Sequence, residues 1–482
     1  MADKFTGKRV LIIGAGRQGT ALARYLARHG ADVVLNDRRP AQALEAARSH
    51  LADLPIRWVT GGHPLEALDG VDLVCLSGGV PPELPLVQEA VRRGIPLSNE
   101  AQIFMEVAPC PVVGITGSAG KTTTTTLVGR MAGTAAEAVR GASYSQLDES
   151  LRQAASALPK RWRTVWVGGN IGNPLIADAD EMTADDLAVM ELSSFQLEQM
   201  HTAPQVAAVL NITPNHLDRH GTMEAYTAAK ARIVAFQTPD DTAILGWEDA
   251  GAWGLREQVR GRLMAFGFAP PPEGVDGTFL DGETLALREG GEVHPLFARD
   301  VIRLRGEHNV LNVLAASAVA AALGLTAEHM RLGVENFGGV PHRLELVRVL
   351  DGVAWYNDSI ATAPERAIAA IRSFDEPIVL LAGGRDKKLP WDEWAQLVRQ
   401  RVRALILFGE AADLILDALS KATGDLPETV LRCESLEDAV RAAYHASQPG
   451  DVVLLSPGGT SFDEFRDFAE RGERFREWVN EL

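Results

Sequence analysis

The sequence contains few cysteines and comparatively little positive charge. Its 482 residues include only three cysteines, Cys75, Cys110 and Cys433, which lie far apart and match no metal-binding spacing. A disulfide framework is therefore not expected, and a reducing compartment fits the composition. Lysine and arginine total 47 against 64 aspartate and glutamate residues, for a net charge of -17. This acidic balance argues against nucleic acid or an anionic membrane as the main partner, although a few local cations can still bind a phosphorylated ligand.

Long apolar runs are also missing. No uninterrupted run reaches the roughly 18 residues that a membrane-spanning helix requires. The longest candidate, residues 314–325, is rich in alanine and is typical of a buried helix. The first ten residues lead directly into a strand, without the apolar core of a signal peptide ahead of it. We therefore expect a cytoplasmic protein that has no membrane partner.

The length and the glycine pattern together predict the fold class. A chain of 482 residues is too long for one hydrophobic core, which indicates two to four domains. Apolar strands beginning at residues 9, 112 and 378 each end in a glycine-rich turn, a pattern typical of α/β units with a parallel sheet. We predict three α/β domains: a Rossmann-like N-terminal domain, a central P-loop ATPase-like domain with a mostly parallel sheet, and a Rossmann-like C-terminal domain.

The predicted domain boundaries lie in two short links. One link is Ala108-Pro109, and the other lies within Gly338–Pro341, ahead of a new strand pattern. Between them, residues 273–292 are rich in glycine and acidic residues, and we expect a hairpin or a surface loop there. The predicted domains are residues 1–108, 109–339 and 340–482.

The strongest single signal is the segment Gly114-Ile115-Thr116-Gly117-Ser118-Ala119-Gly120-Lys121-Thr122-Thr123, which follows an apolar strand. Its glycines let several backbone N–H groups point at one phosphate, and the next helix adds its positive N-terminal end. Lys121 is suited to the outer phosphates, and the Thr122 hydroxyl to magnesium. The spacing predicts a nucleoside triphosphate site made by Gly117, Ser118, Ala119, Gly120, Lys121, Thr122 and Thr123. By itself, this phosphate loop leaves open a GTPase, a motor or a ligase.

A second glycine loop, Gly14–Gly19, follows the first strand of the chain. The next strand ends at the acidic residue Asp37, so the pattern has the form of a dinucleotide-binding fingerprint. Taken alone, this pattern favours NAD. The phosphate loop downstream favours a UDP-sugar or a similar ligand over a second, redox cofactor. The loop Ser77–Pro82 closes a later strand of the same sheet and is predicted to face the same pocket.

Two polar residues follow predicted strands of the central domain. Glu191 ends a strand beside the phosphate loop, where a magnesium ligand and a helix-capping acid are about equally expected. His216 comes just after another strand, and that position favours a site residue. Lys230 lies in a helical pattern, and nothing in its local sequence distinguishes it from a solvent-facing lysine. Asp358 again follows a strand, in the C-terminal domain.

Taken together, these motifs resemble the Mur ligase family. The resemblance spans all three predicted domains and, in chain order, rests on the phosphate loop, Gly169-Asn170-Ile171-Gly172, Glu191–Leu197, Asn215–His220, Lys230, Gly306–Asn312, His342-Arg343 and Asn357-Asp358-Ser359. Within the family it is greatest to the member that adds D-glutamate, because of the dinucleotide-like N-terminal loop and the tail Ser456–Phe468. The Asp-Asn-Pro-Arg motif of the diaminopimelate-adding member is absent from the sequence.

The resemblance implies an ATP-dependent amide ligase of peptidoglycan synthesis. In such a reaction the carboxylate of UDP-N-acetylmuramoyl-L-alanine attacks the γ-phosphate of ATP, and the amine of D-glutamate then attacks the resulting acyl phosphate. The implied cofactors are ATP and two Mg²⁺ ions, and the protein is expected to act as a monomer. The implied metal ligands are Thr122, Glu191, His216 and a carbamylated Lys230, and the implied catalytic residues are Lys121, His216 and Lys230.

The resemblance also assigns the remaining site residues. The nucleotide contacts that it implies, beyond the phosphate loop, are Asn309, Asn312, Arg343 and Asp358. The implied contacts to the UDP-linked substrate are Arg17, Gln18, Asp37, Arg38, Gly79 and Asn170. The implied contacts to glutamate are Thr362, Lys387, Ser461 and Phe468, with Lys387 pairing the side-chain carboxylate. The sequence departs from the family pattern at Ser118-Ala119 in the loop, at Ile360, which stands where a lysine is common, and at Gly458-Gly459-Thr460, which stand in place of Ala-Cys-Ala.

Three other classes of protein share single features with this sequence. A folylpolyglutamate synthase-like ligase has the phosphate loop but would lack the Rossmann-like N-terminal domain. An NAD-dependent oxidoreductase would explain the first glycine loop but neither Lys121 nor Glu191. A P-loop GTPase is disfavoured because the sequence has no Asn-Lys-x-Asp guanine motif.

Overall fold

The structure is a computed structural model that describes residues 4–142, 147–170 and 172–482. Ile171, a residue of the Gly169–Gly172 motif, lies outside these ranges. The chain divides into two compact units. The first contains the described residues up to Ile302 together with Glu307–Glu335, and the second contains Arg303–Gly306 with Asn336–Leu482. In the described ranges, no helix is both long and apolar enough to cross a membrane.

The N-terminal domain is built on a parallel sheet in the order β3-β2-β1-β4-β5. Its strands are β1 (Arg9–Ile13), β2 (Asp32–Asp37), β3 (Arg57–Thr60), β4 (Leu73–Leu76) and β5 (Leu97–Ser98). Its helices are α1 (Arg17–Arg28), α2 (Glu45–His50), α3 (Pro85–Arg92) and α4 (Glu100–Val107), with short 3-10 turns at Ala41–Leu44 and Leu65–Leu68. The strand order reverses between β1 and β4, and ligands of such sheets bind in the crevice at that point.

The central domain contains a larger sheet, in the order β15-β14-β13-β12-β11-β10-β6-β9-β8-β7 for the described residues. Its strands are β6 (Val112–Thr116), β7 (Ala136–Gly141), β8 (Trp162–Gly169), β9 (Leu187–Glu191), β10 (Val206–Val209), β11 (Thr242–Gly246), β12 (Arg262–Phe266), β13 (Asp276–Asp281), β14 (Thr284–Glu289) and β15 (Glu292–Ala298). The strands from β7 to β13 pair in parallel, whereas β13-β14 and β14-β15 are antiparallel. The expected hairpin or loop at residues 273–292 is therefore the β13-β14 hairpin, which lies beside the edge strand β15.

Among the helices of the central domain, α5 follows the phosphate loop directly and α11 contains most of the Ala-rich segment. They are α5 (Lys121–Thr134), α6 (Glu149–Ala155), α7 (Ser194–Leu197), α8 (Leu217–His220), α9 (Met223–Ala235), α10 (Ala250–Trp253), α11 (Glu307–Ala322) and α12 (Ala327–Val334). Short 3-10 turns lie at Leu175–Glu181, Gly254–Gln258 and Arg299–Val301. Every residue of β6 is buried, as is typical of a parallel strand covered on both faces.

The C-terminal domain has a sheet in the order β16-β17-β21-β18-β19-β20, parallel except for the β16-β17 pair. Its strands are β16 (Glu345–Leu350), β17 (Val353–Asn357), β18 (Ile378–Gly383), β19 (Val402–Phe408), β20 (Thr429–Arg432) and β21 (Val452–Gly458). Its helices are α13 (Pro364–Ile371), α14 (Asp392–Arg401), α15 (Ala412–Lys421), α16 (Leu436–Ala446) and α17 (Phe468–Glu481). The three-domain α/β prediction is confirmed, while the boundaries after residues 108 and 339 stay predictions.

A buried arginine stabilises the C-terminal domain. Arg471 on α17 is 0% exposed. Its Nε donates to Ser359 Oγ at 2.9 Å and its Nη2 to the Ser359 carbonyl at 2.8 Å, and both Nη atoms lie 3.2 Å from the Gly459 carbonyl. Burial lowers the pKa of this guanidinium to about 10, which leaves it charged at neutral pH. The arginine thereby joins the segment after β17 to the segment after β21.

We expect that Arg471→Met lowers the stability of this domain by about 3 kcal/mol, because the buried acceptors lose a charged donor. The midpoint of urea unfolding, followed by tryptophan fluorescence, measures this loss. Arg474→Met is the matched control, since Arg474 lies on the same helix but is exposed, where it pairs with Glu477 and lies over the Trp478 ring. Equal midpoints for the Arg471 variant and the wild-type protein would contradict a stabilising role.

Candidate active site

The phosphate loop lies at the centre of the ten-stranded sheet. It follows β6, which pairs with β9 on one side and with β10 on the other. The carboxyl ends of these parallel strands share one edge of the sheet, which brings Glu191 and Asn211 to either side of the loop. Gly120 has φ +83°, a left-handed conformation, and a Cβ added there would lie 2.3 Å from Asn312 Oδ1. Glycine is therefore required where the loop passes Asn312.

Residues that follow β10 fix the shape of the loop by hydrogen bonds. Asn211 Oδ1 accepts a hydrogen bond from the Ala119 backbone N–H at 2.8 Å, and the Ser118 hydroxyl donates to the Thr213 carbonyl at 2.9 Å. Tyr226 on α9 places its hydroxyl 3.1 Å from the Ser118 hydroxyl. The departure to Ser118-Ala119 is compatible with an ordered loop, because neighbouring strands and α9 supply its hydrogen bonds.

Two lysine amines meet at one carbonyl of the loop. Lys121 Nζ donates to the Gly117 carbonyl at 2.8 Å, and Lys230 Nζ donates to the same oxygen at 2.9 Å. Lys230 is 1% exposed, and its amine also lies 4.8 Å from the centre of the Tyr226 ring. Burial, reinforced by the charge of Lys121, lowers the pKa of Lys230 to about 7. Much of this amine is therefore neutral near physiological pH.

The end of β9 places a carboxylate against the first turn of α5. Glu191 is 2% exposed. Its Oε2 accepts from the Thr122 hydroxyl at 2.8 Å, and its Oε1 accepts from Asn170 Nδ2 at 2.9 Å. The structure therefore brings together three residues that the sequence predicted separately: Thr122, Asn170 and Glu191.

The donor set around Thr122 suits magnesium. Within the residues that the structure describes, no group of three or more His, Cys, Asp or Glu side chains is arranged to hold a metal ion. Magnesium is commonly held by only one or two carboxylates, with water and substrate phosphates completing its shell. A hydroxyl and a carboxylate 2.8 Å apart beside a phosphate loop fit that requirement.

His216 lies in an aromatic cluster with Phe195. It has φ +53° and immediately precedes the short helix α8. The Phe195 ring contacts His216 edge-on with centroids 5.2 Å apart, and it stacks on His220 at the same separation. His220 Nε2 lies 3.0 Å from the Ser194 hydroxyl, and its Nδ1 lies 3.0 Å from Glu198.

The predicted nucleotide contacts fall in separate units. On α11 of the first unit, Asn312 Nδ2 donates to Asn309 Oδ1 at 3.0 Å. In the second unit, Asp358 is 4% exposed and accepts from the Ser456 hydroxyl at 2.8 Å. Burial raises the pKa of Asp358 to about 7. Arg343 lies between two residues with positive φ, His342 and Leu344.

In the N-terminal domain, Asp37 is occupied by contacts within the protein. Its Oδ2 accepts from the Ala15 backbone N–H at 2.8 Å, and its two oxygens accept from Arg39 Nε and Nη2 at 2.9 and 2.8 Å. The hydrogen bonds from Arg39 hold the pKa of this carboxyl well below its usual range. Gln18 Oε1 accepts from the Gly78 N–H at 3.2 Å. The other predicted contacts, Arg17, Arg38 and Gly79, are exposed.

The predicted glutamate contacts lie at the carboxyl edge of the C-terminal sheet. Lys387 Nζ donates to the Thr362 hydroxyl at 3.1 Å. Arg385 and Thr460 exchange two backbone hydrogen bonds of 2.8 Å, which brings the turn after β18 beside Ser461. The Ser359 hydroxyl donates to the Phe468 carbonyl at 2.7 Å. One edge of the sheet therefore carries all four predicted residues.

Sequence reasoning missed four residues that organise these sites: Arg39, Asn211, Arg219 and Tyr226. Asn211 follows a strand end, and the same rule that indicated Glu191 would have indicated it. Tyr226 precedes Lys230 by four positions, so both side chains lie on one face of α9. The side-chain conformations of Arg39 and Arg219 depend on tertiary contacts that no local sequence pattern indicates.

Comparison with known proteins covers most of the chain. The family model of the Mur ligase middle domain matches residues 115–320, that of the Mur ligase glutamate ligase domain matches 342–459, and that of the MurD-like N-terminal domain matches 8–99. A UDP-N-acetylmuramoylalanine--D-glutamate ligase from Symbiobacterium thermophilum is 41% identical, with 100% of both chains covered. The enzyme of that name from Pelotomaculum thermopropionicum is 40% identical, with 100% of this chain and 99% of the relative covered.

Solved structures show the same fold at lower identity. UDP-N-acetylmuramate-alanine ligase MurC from Thermotoga maritima has a TM-score of 0.53 at 18% identity, with 98% of this chain and 99% of that chain covered. MurF ligase from Thermotoga maritima, in complex with ADP, has a TM-score of 0.50 at 17% identity, with 100% and 97% covered. At these identities the likeness concerns the fold alone.

Proposed function

The chain belongs to the Mur ligase family, and from this premise we propose that it joins D-glutamate to UDP-N-acetylmuramoyl-L-alanine in an ATP-dependent reaction of peptidoglycan precursor synthesis. Mur ligases are ATP-dependent, amide-bond-forming enzymes. The choice of substrates rests on the relatives at 40–41% identity, which span the whole chain. The resemblance indicated by the sequence motifs is confirmed.

The observation that carries the proposal is the group of residues around the phosphate loop. Lys121 and Thr122 begin α5, Glu191 ends β9 and Lys230 lies on α9. Hydrogen bonds of 2.8 to 2.9 Å join both lysines to the Gly117 carbonyl and Thr122 to Glu191. A redox enzyme or a passive binding domain has no need of this combination of cations, hydroxyl and carboxylate. Transfer of a phosphoryl group depends on such positioning and on charge stabilisation.

In the proposed mechanism, the backbone N–H groups of the loop and Lys121 hold the ATP phosphates. The substrate carboxylate attacks the γ-phosphorus, ADP leaves, and an acyl phosphate forms. The amine of D-glutamate then attacks the acyl carbon, and inorganic phosphate leaves from the tetrahedral intermediate. Lys121 stays close to the transferring group, where its charge offsets the negative charge that develops.

Thr122 and Glu191 would hold one Mg²⁺, and His216 with a carbamylated Lys230 would hold a second. When bound, the ions neutralise phosphate charge and align the reacting oxygens. Carbamylation joins the neutral amine to CO₂ and releases a proton. The low pKa of Lys230 supports this assignment, because it leaves a substantial fraction of the amine neutral near pH 7, and the neutral amine is the form that reacts with CO₂.

The substrate contacts are proposed as follows. The UDP-linked substrate would be held by Asn170 of the central domain and by five residues of the N-terminal domain: Arg17, Gln18, Asp37, Arg38 and Gly79. D-Glutamate would be held by Thr362, Lys387, Ser461 and Phe468. Asn309, Asn312, Arg343 and Asp358 are the proposed contacts to the nucleotide. We also propose that the enzyme acts as a monomer in the cytoplasm, where ATP and the nucleotide-linked precursor are available to it.

Phosphate release tests the proposed function directly. We expect release from ATP and Mg²⁺ only when UDP-N-acetylmuramoyl-L-alanine and D-glutamate are both present, with L-glutamate giving little. Omitting each component in turn provides the controls, and mass spectrometry of the product confirms the new amide bond. Release that depends on another amino acid would retain the ligase mechanism and point to Ile360 as a specificity change. No release with any amino acid would rule out the proposed reaction.

A further inference from the structure

Arg219 connects the central domain to a substrate loop of the N-terminal domain. Its Nη2 donates to the Val80 carbonyl at 2.6 Å, and its Nη1 lies 3.4 Å from the Gly78 carbonyl. Both acceptors belong to the loop after β4, which also contains the predicted UDP contact Gly79. The central domain thus uses one forked cation to hold this loop by its backbone.

The same side chain packs against the aromatic cluster around His216. The Arg219 guanidinium lies 4.5 Å from the centre of the Phe195 ring, within the range of a cation–π contact. Phe195 in turn contacts His216 edge-on. In the backbone, the Arg219 N–H donates to the His216 carbonyl at 3.1 Å. The position of His216 is therefore coupled to Arg219 through both a side chain and the main chain.

The other side of the loop is joined to the first glycine loop. Gln18 Oε1 accepts from the Gly78 N–H at 3.2 Å, and the Ser77 hydroxyl donates to the Gly14 carbonyl at 2.9 Å. The loop after β4 therefore lies between the glycine loop and Arg219. A continuous set of contacts runs from the predicted UDP site to His216.

Arg219 also retains donor capacity that the described residues do not use. Its Nε is buried and has no hydrogen-bond partner within residues 4–142, 147–170 and 172–482. Arg219 lines a cavity between the two domains that Gln18, Gly78 and Gln196 also line. The Gln196 side-chain amide nitrogen likewise lacks an acceptor in those ranges. Buried donors without partners are uncommon in folded proteins, so an oxygen-bearing ligand or water is expected here.

We propose that Arg219 is a positioning residue of the ligation reaction, which holds the Gly78–Val80 loop against Phe195 and His216 and thereby sets the affinity for the UDP-linked substrate. This role rests on the proposed function above. It requires the planar fork of arginine, because two carbonyl oxygens and one aromatic face are engaged at once. Lysine keeps the charge but offers one compact ammonium group in place of the fork.

The test is titration of the full-length protein with UDP-N-acetylmuramoyl-L-alanine by calorimetry, in the absence of ATP and Mg²⁺. For Arg219→Met we expect the Kd to rise by about ten- to a hundredfold, since hydrogen bonds from a charged donor are lost. The Kd of Arg219→Lys should lie between those of Arg219→Met and the wild-type protein. In steady-state assays the KM for the UDP-linked substrate should rise while the KM for ATP stays unchanged.

Arg232→Met is the matched control. Arg232 also donates to a backbone carbonyl, that of Met200, and packs on a phenylalanine ring, that of Phe236, away from the loop. It should leave the Kd unchanged. If the methionine variant of Arg219 melts at a lower temperature than the wild-type protein, Arg219→Lys decides the question.

Wild-type affinity in both Arg219 variants would overturn the inference, as would equal rises in the KM values for ATP and for the UDP-linked substrate. A wild-type protein that fails to bind the UDP-linked substrate would instead reject the proposed function itself. The two failures are therefore distinguished by the wild-type titration alone.

Discussion

Lys121→Ala is expected to abolish ATP turnover, with kcat lower by a factor on the order of a thousand. Lys121 is the first residue of α5, and its amine donates to the Gly117 and Ser118 carbonyls, at 2.8 and 3.3 Å. From this position the side chain needs only a rotamer change to reach a phosphate bound in the loop. Removing it takes away the charge that would stabilise the transferring phosphoryl group. Phosphate release in the presence of both substrates measures the effect.

Binding experiments separate loss of catalysis from collapse of the loop. Calorimetric titration with UDP-N-acetylmuramoyl-L-alanine should give the wild-type Kd for Lys121→Ala, because no proposed contact to that substrate involves Lys121. Lys121→Arg keeps a positive charge and should retain more activity than the alanine variant. Turnover near the wild-type rate in Lys121→Ala would rule out the proposed role of this lysine and of the loop as an ATP site.

The parts of the site nearest the sheet were predictable from sequence, because parallel strands fix where their carboxyl ends lie. Glu191 and the phosphate loop follow adjacent strands, and the register pairs Ile115 with Glu191. Asn170 follows the next strand, and its side chain reaches the same carboxylate. The rule that polar residues at neighbouring strand ends converge placed Glu191 beside the phosphate loop, whereas Asn170 was indicated only by the resemblance to the family.

Lys230 lies on the buried face of its helix, which the sequence around it did not indicate. On α9 the buried residues include Tyr226, Ala229, Lys230 and Ile233, so the lysine falls within a stripe spaced by three or four residues. A lysine inside an apolar stripe is a departure from the usual pattern and indicates either a buried ion pair or a functional amine. The sequence alone presents Lys230 as an ordinary helical lysine, and only the resemblance to the family marks it.

The side-chain contacts of Arg39 and Arg219 could not be predicted. Arg39, rather than its neighbour Arg38, forms the paired contact with Asp37. Arg219 reaches across to Val80 from a helix of only four residues. Both outcomes depend on the side-chain conformations that the arginines adopt once the surrounding elements have packed, and periodicity carries no information about that step. The residues that tie elements together are therefore identified from the structure.

Lys230→Ala is expected to be nearly inactive, and short carboxylates such as formate or acetate should partly restore its activity. The lysine is 1% exposed and its amine lies against the phosphate loop, so the alanine variant leaves space for a small anion there. A carbamylated lysine supplies a carboxylate, and an added carboxylate would replace that group. Rates measured over a series of formate and acetate concentrations should rise and saturate.

Two comparisons distinguish a carbamate from a cation at this position. Small amines should fail to rescue Lys230→Ala, and rescue by amines alone would show that the lysine acts as an ammonium group. Lys160→Ala is the matched control, because the Lys160 amine also donates to two backbone carbonyls, those of Thr134 and Ala155, and burial lowers its pKa as well. It should keep full activity. In the wild-type protein, the gain in ligase activity produced by a fixed CO₂ concentration should increase as the pH rises through about 7. The reason is that the neutral form of Lys230, which CO₂ carbamylates, becomes more populated.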